Sequence, residues 1–186
     1  MKQLLLVIDA QQELIEGNQE EAAVFNKEQL VSNINSAVEK ALTSNIPIVF
    51  VRDLDVAGGK GDGFQVHKDI YVPADVNIFD KAATNSFHGT GLLDHLKIEG
   101  TEHVVIMGCA TQHCIDSAVR TATISGLDVT LVGNGHSTKD SESLNAEQII
   151  KHHNETLHGH YNVDHFSVVR DVEEDIFAPN HDSYRE

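Results

Sequence analysis

The chain has 186 residues, 40% of them hydrophobic, enough for one domain with a full core and short for two. Its 29 acidic against 13 basic side chains give a formal charge of -16, the reverse of the basic footprint that nucleic-acid binding demands and one that anionic membrane surfaces repel. A small molecule or another protein is the expected partner, and a single domain over residues 1–186 the expected organisation.

The apolar run at residues 4–8 is far too short to span a bilayer, and no small-residue cleavage site follows it. It predicts a buried first strand of a cytoplasmic protein. Further strands are predicted at 46–51, 76–79, 103–107, 129–132 and 166–169, several of them continuous apolar runs that signal burial on both faces. Between them, residues 27–44 carry Leu30, Ile34, Ala37, Val38 and Ala41 at helical spacing, and 89–96, 114–125 and 145–157 are predicted helices. Gly100 and Gly126 supply stop signals. Alternating β and α units predict an α/β fold: a doubly wound, mostly parallel six-stranded sheet with helices on both faces, a Rossmann-like three-layer sandwich. The stretch 53–75, with Gly58, Gly59, Gly61 and Gly63, is the one long interruption, and is expected either to fold over the carboxyl edge of the sheet as a pocket wall or to be a mobile surface loop.

The two cysteines, Cys109 and Cys114, stand five positions apart on one local segment and read as reduced thiols rather than a disulfide. Of the 12 histidines, His152, His153, His158 and His160 sit at an expected helix end without zinc-like spacing, and read as solvated or capping. In an open α/β sheet, ligands bind beyond the carboxyl ends of the strands. Asp9, Lys81 and Cys114 follow the first, third and fourth strands and so converge on that edge. A cysteine at a helix N-terminus near an ammonium is expected to have a lowered pKa. Asp9 opposes that shift, and its useful role is to accept the thiol proton as a general base. Backbone N–H groups at the helix start are candidates for stabilising an oxyanion. Taken singly, each residue has a plain structural explanation: an inert core cysteine, a turn aspartate, a solvated lysine. Their shared edge raises all three together.

At these residues the chain resembles the isochorismatase-like cysteine hydrolases. Val7-Ile8-Asp9-Ala10-Gln11-Gln12 is similar to that superfamily's opening strand motif, and Lys81-Ala82-Ala83-Thr84-Asn85-Ser86-Phe87 to its lysine segment. Gly108-Cys109-Ala110-Thr111-Gln112-His113-Cys114, followed by Ser117-Ala118 and Thr121-Ala122, is similar to its nucleophile segment, and the similarity covers roughly residues 4–169. The resemblance implies a triad of Asp9, Lys81 and Cys114 and an oxyanion hole from the N–H groups of Ala110 and Cys114. It further implies a cis peptide between Cys109 and Ala110 and assembly into a homo-oligomer. The substrate it implies is a small amide-type molecule, hydrolysed through a thioester on Cys114 without a cofactor.

Departures from particular members narrow this. Nicotinamidases bind a metal after the second strand, but Asp53-Leu54-Asp55-Val56-Ala57-Gly58 offers no Asp-x-His pattern, so no metal is expected. True isochorismatases lack the cysteine. Gln11, Phe64, Gln65, Asn85 and His113 are candidate substrate contacts. The tail at residues 173–179 carries Ile176 and Phe177 amid charges, a pair that must dock either on a second copy or on its own domain. Two readings compete with catalysis: a non-catalytic small-molecule or partner-binding protein on the same fold, and a flavodoxin-like nucleotide binder. The second lacks a glycine-rich phosphate loop, since Ala10-Gln11-Gln12-Glu13 follows the first strand.

Overall fold

The computed structural model describes residues 1–178, 181, 182 and 185. Its strands are β1 (Gln3–Ile8), β2 (Ile48–Asp53), β3 (Asn77–Lys81), β4 (His103–Cys109), β5 (Asp128–Ser137), β6 (Tyr161–Asn162) and β7 (His165–Arg170). They form one sheet in the order β3-β2-β1-β4-β5-β7-β6, parallel except for β6. The chain runs outward from β1 to β3 on one side, then crosses back to β4 and runs outward again. The crevice between β1 and β4 is therefore the point where the winding reverses, which is where such sheets bind ligands.

The helices are α1 (Gln12–Glu16), α2 (Lys27–Thr43), α3 (Gly61–Phe64), α4 (Leu92–Glu99), α5 (Asp116–Ile124) and α6 (Ala146–Leu157). Side chains alternate across a strand, and β1 shows how this makes two cores. Leu5 and Val7 pack with Leu30, Ile34 and Val38 of α2 on one face. Leu4, Leu6 and Ile8 pack with Leu92 and Leu96 of α4 and Val119 and Ala122 of α5 on the other. These five β1 side chains are shut off from solvent, each contributing about 1.5–3 kcal/mol by burial.

The three-layer α/β architecture is as expected, with differences at the margins. A seventh strand, β6, pairs antiparallel with β7 through Tyr161 and Phe166; two residues are too few to carry a periodic signal. Strand β3 is an edge strand, largely exposed rather than buried on both faces. The helix expected from residue 89 starts at Leu92 because Gly89 and Gly91 adopt positive φ. The helix expected from residue 114 starts earlier, as a π-helical turn over Thr111–Ile115 that runs into α5. The stretch 53–75 contains a left-handed turn at Ala57 and Gly58 followed by α3, and packs against α1.

The C-terminal tail docks on its own domain. Ile176 and Phe177 are buried in the α2-side core, and the Lys40 ammonium donates to the carbonyls of Val172 and Glu174. Pro179, the end of that tail, lies outside the described residues. Among the described residues no helix is long and apolar enough to cross a membrane.

One glycine brings the carboxyl edge of the sheet together. In the β1–β4 register Gly108 lies opposite Ile8, the residue before Asp9. It has φ 124°, and a Cβ there would fall 1.9 Å from the Ile8 carbonyl oxygen, a backbone atom that cannot yield. Gly108→Ala is expected to cost more than about 3 kcal/mol, since it forces two central strands apart and strains the backbone. Urea unfolding of the two proteins measures this.

Candidate active site

Each reactive side chain is delivered by a strand end. Asp9 leaves β1 with φ 50°, a left-handed conformation that aspartate tolerates better than most residues, and its N–H donates to the Val51 carbonyl at 2.8 Å. Lys81 ends β3, in register with Asp53 at the end of β2. Beyond β4 the Cys109–Ala110 peptide is cis, as the resemblance implies, and the π-helical turn then carries Cys114. The Ala110 carbonyl accepts from the N–H groups of His113 and Ile115, at 3.1 and 3.2 Å.

The three residues singled out from the sequence come together. The Lys81 ammonium lies 2.9 Å from Asp9 Oδ2 and donates to Cys114 Sγ at 3.4 Å. It also pairs with Asp53 Oδ2. Oxygens of Asp9 and Asp53 and the Cys114 sulfur all fall within 4.8 Å of one another. Two carboxylates and a sulfur at such spacing resemble a cation site, and the Lys81 ammonium already supplies the positive charge among them. Asp9 and Lys81 are almost fully buried, and the Asp9 carboxylate also accepts from the Cys114 thiol.

Burial is the largest influence on each of the three ionisable groups. It lifts the Asp9 carboxyl from 3.8 to about 6, against the pull of Lys81. Burial works against the Lys81 charge too, but Asp9, Asp53 and Cys114 outweigh it, and its pKa is raised. Burial and then the Asp9 charge push the Cys114 thiol up to about 12, with Lys81 only partly countering. This corrects the expectation of a lowered thiol pKa. At neutral pH the resting site holds an ionised Asp9, a charged Lys81 and a protonated Cys114.

A cavity of about 290 Å³ opens on this cluster, lined by Asp9, Asp53, Ala110 and Cys114 and by residues of α1 and the 53–75 segment, among them Val56 and Ala57. That segment is thus a pocket wall. Of the five candidate substrate contacts, His113 lines the cavity and the others do not. The Gln11 amide donates to the carbonyls of Asp53 and Phe64 and accepts from the Asp53 N–H at 2.7 Å, clamping the end of β2 onto α3. Phe64 is buried beneath the Arg52 guanidinium, which also donates to Gln65 at 2.7 Å. Asn85 donates to Thr121 at 2.7 Å and ties the lysine segment to α5.

Sequence reasoning missed Asp53 as a partner of Lys81. Its signal was available, since it too ends a strand next to β1. It also missed His136, which is held neutral by burial and joins Thr111 of the π turn to Asn154 of α6, at 2.9 and 2.8 Å. No local pattern marks that residue.

The fold and this edge define a three-layer α/β protein with a thiol, a buried carboxylate and a buried ammonium at its switch point. The chain belongs to the isochorismatase family, whose domain model, Isochorismatase domain, matches residues 3–155. It is 36% identical over 74 residues to the uncharacterised isochorismatase family protein YrdC of Bacillus subtilis (strain 168); that match spans 39% of either chain. In fold it is similar to a cysteine hydrolase from Pseudomonas syringae pv. phaseolicola 1448A, with TM-score 0.82 and 16% identity over 98% of this chain and 93% of that one. It is also similar to N-carbamoylsarcosine amidase from Thermoplasma acidophilum, with TM-score 0.71 and 22% identity over 94% and 98%.

Removing the ammonium isolates the cost of the two carboxylates. Lys81→Met is expected to lose about 3–5 kcal/mol at pH 8, because Asp9 and Asp53 are then left together without a countercharge. The Asp9 pKa already exceeds its unfolded value, so its burial favours folding most in acid and that contribution is lost as pH rises through about 6. Without Lys81 the loss grows, and unfolding at pH 5 and pH 8 should show the variant's deficit shrinking at the lower pH.

Proposed function

We propose that the protein is a cysteine hydrolase that cleaves the C–N bond of a small amide through a thioester on Cys114. The observation that carries this reading is a cavity-lining thiol within 4.8 Å of two carboxylates and 3.4 Å from a buried ammonium. The family membership and the amidase among the structures of like fold point the same way.

In this mechanism Asp9 takes the Cys114 proton as the sulfur adds to the amide carbonyl carbon. The resulting oxyanion is received by the Ala110 and Cys114 N–H groups at the start of the helical turn, the pair that the family resemblance implies. Collapse breaks the C–N bond, and the proton on Asp9 leaves with the nitrogen as ammonia. Asp9 then deprotonates water, which attacks the thioester carbon, and the carboxylic acid departs as the thiol is restored. One amide and one water give one acid and one ammonia. Lys81 keeps Asp9 ionised and offsets the charge that moves onto sulfur, so the mechanism calls for no metal.

The pH dependence follows from Asp9 being the base. kcat/KM should fall tenfold per pH unit below about 6 and level off above it. The neighbouring Asp53 charge helps raise the Asp9 pKa, so Asp53→Asn should move the acid limb to lower pH. A screen of small amides, ureides and carbamoyl compounds for ammonia release supplies the rates, with Cys114→Ala as control. Release that survives in Cys114→Ala would defeat the thioester mechanism, and a non-catalytic binding protein would release none with either protein.

The same reading includes a homo-oligomer, on the family resemblance. The tail no longer supports it, because Ile176 and Phe177 are buried within one chain. Sedimentation equilibrium should give a mass at least twice 20.4 kDa at micromolar concentration, and a monomer would refute it.

A further inference from the structure

The lining of the cavity is lopsided in charge. Beyond Asp9 and Asp53 it contains Glu13, Glu21 and Asp55, and no lysine or arginine stands among the described lining residues. Lys81 is not among the lining residues and is already shared by Asp9 and Asp53. Glu21 is paired at 2.5 Å with Lys139, which leaves Glu13 and Asp55 as carboxylates with no paired cation among the described residues. Glu13 is also held in place: its Oε1 accepts from Asn18 at 3.1 Å, and its Oε2 lies where a Cβ on Gly63 would meet it at 2.9 Å. These groups ring a formed cavity that Cys114 and the buried, Lys81-paired Asp9 also line.

We infer that the substrate is a small amide carrying a positive charge, an ammonium or amidinium group that sits against Glu13 and Asp55 while its carbonyl lies over Cys114. This rests on the proposed hydrolase reading and adds the substrate class. Glu13 is half-buried and Asp55 exposed, so their pull on a cation exceeds that in bulk water and is screened by salt. An anionic amide would enter a site whose fixed charge is already negative and meet no cation to receive it. Leu14, Val56, Ala57 and Ala110 provide the apolar walls for a short carbon linker. Hydrolysis of such a substrate releases ammonia and leaves a zwitterionic amino acid.

Two measurements test this, and the first does not require hydrolysis. Cys114 is labelled with methanethiosulfonates bearing a 2-aminoethyl or a 2-sulfonatoethyl group. The thiolate displaces methanesulfinate and forms a mixed disulfide in both cases, so only the charge differs. Cys114→Ala corrects for the buried Cys109, and N-acetylcysteine amide gives the intrinsic rate ratio of the reagents. The cationic reagent should be favoured at least about tenfold over that ratio at low salt. The preference should shrink in Glu13→Gln and Asp55→Asn and with added salt. Equal labelling, or an anionic preference, overturns the inference.

The second measurement compares ammonia release from glycinamide, propionamide and malonamate. kcat/KM should fall in that order, and the glycinamide advantage should narrow in Glu13→Gln. Malonamate as the best of the three overturns the inference. Cation-favouring labelling with no release from any amide supports a cation-selective cavity and defeats the hydrolase reading instead.

Discussion

A single ammonium, buried between two carboxylates and beside a sulfur, is the constraint on which the rest of the carboxyl edge depends. Taking charges out of water costs several kcal/mol per ion, and mutual attraction offsets that only where geometry is tight. The sheet supplies the geometry. Asp9, Asp53 and Lys81 come from the ends of three adjacent parallel strands whose registers are fixed by continuous ladders, Ile8 opposite Val51 and Asp53 opposite Lys81. The Gln11 amide then locks the end of β2 by bonding both the N–H and the carbonyl of Asp53. A loop-borne lysine would find water instead, and the cluster would lose the dry surroundings that raise the Asp9 pKa.

Magnitudes explain why the thiol rests protonated despite its helix. A helix terminus is worth about 0.3–1 kcal/mol, reaching about 2 in favourable buried geometry. Full burial moves an ionisable group by up to about 3–5 pKa units, and each unit is about 1.4 kcal/mol. Desolvation therefore wins, and the Asp9 charge adds to it. The outcome suits a base-assisted nucleophile: an inner group of two carboxylates and one ammonium carries one net negative charge, and a resting thiolate would make it two. In the proposed mechanism, chemistry begins when a carbonyl arrives to take up the electron pair on sulfur.

Legibility from sequence followed chain-local signals. Asp9, Lys81 and Cys114 could be placed because each closes or follows an apolar strand, and strand ends share one edge in a parallel sheet. The residues that shape the cavity could not, because Glu13, Leu14 and Asn18 face Val56 and Ala57 only after the 53–75 segment folds against α1. Gln11 and Phe64 stood among the candidate substrate contacts. Their atoms serve the scaffold instead, Gln11 by three hydrogen bonds and Phe64 by burial under Arg52. The π turn was equally hidden. It differs from an α-helical start by one residue in its hydrogen bonding, and hydrophobic periodicity does not resolve that difference.

The overall charge of -16 first served to exclude polyanionic partners, but its local distribution reaches further. A cleft lined by one sign of charge focuses field lines and raises the local concentration of oppositely charged ligands, within a range of about 8 Å at physiological salt. A cation seated against Glu13 and Asp55 would also act on the chemistry. An opposite charge near a thiol favours the thiolate, so the positive group of the substrate would relieve part of the burden that burial and Asp9 place on Cys114. Binding energy gained at the acidic rim would then be used at the sulfur, making nucleophile activation depend on the substrate being in place and leaving the empty site with a quiet thiol.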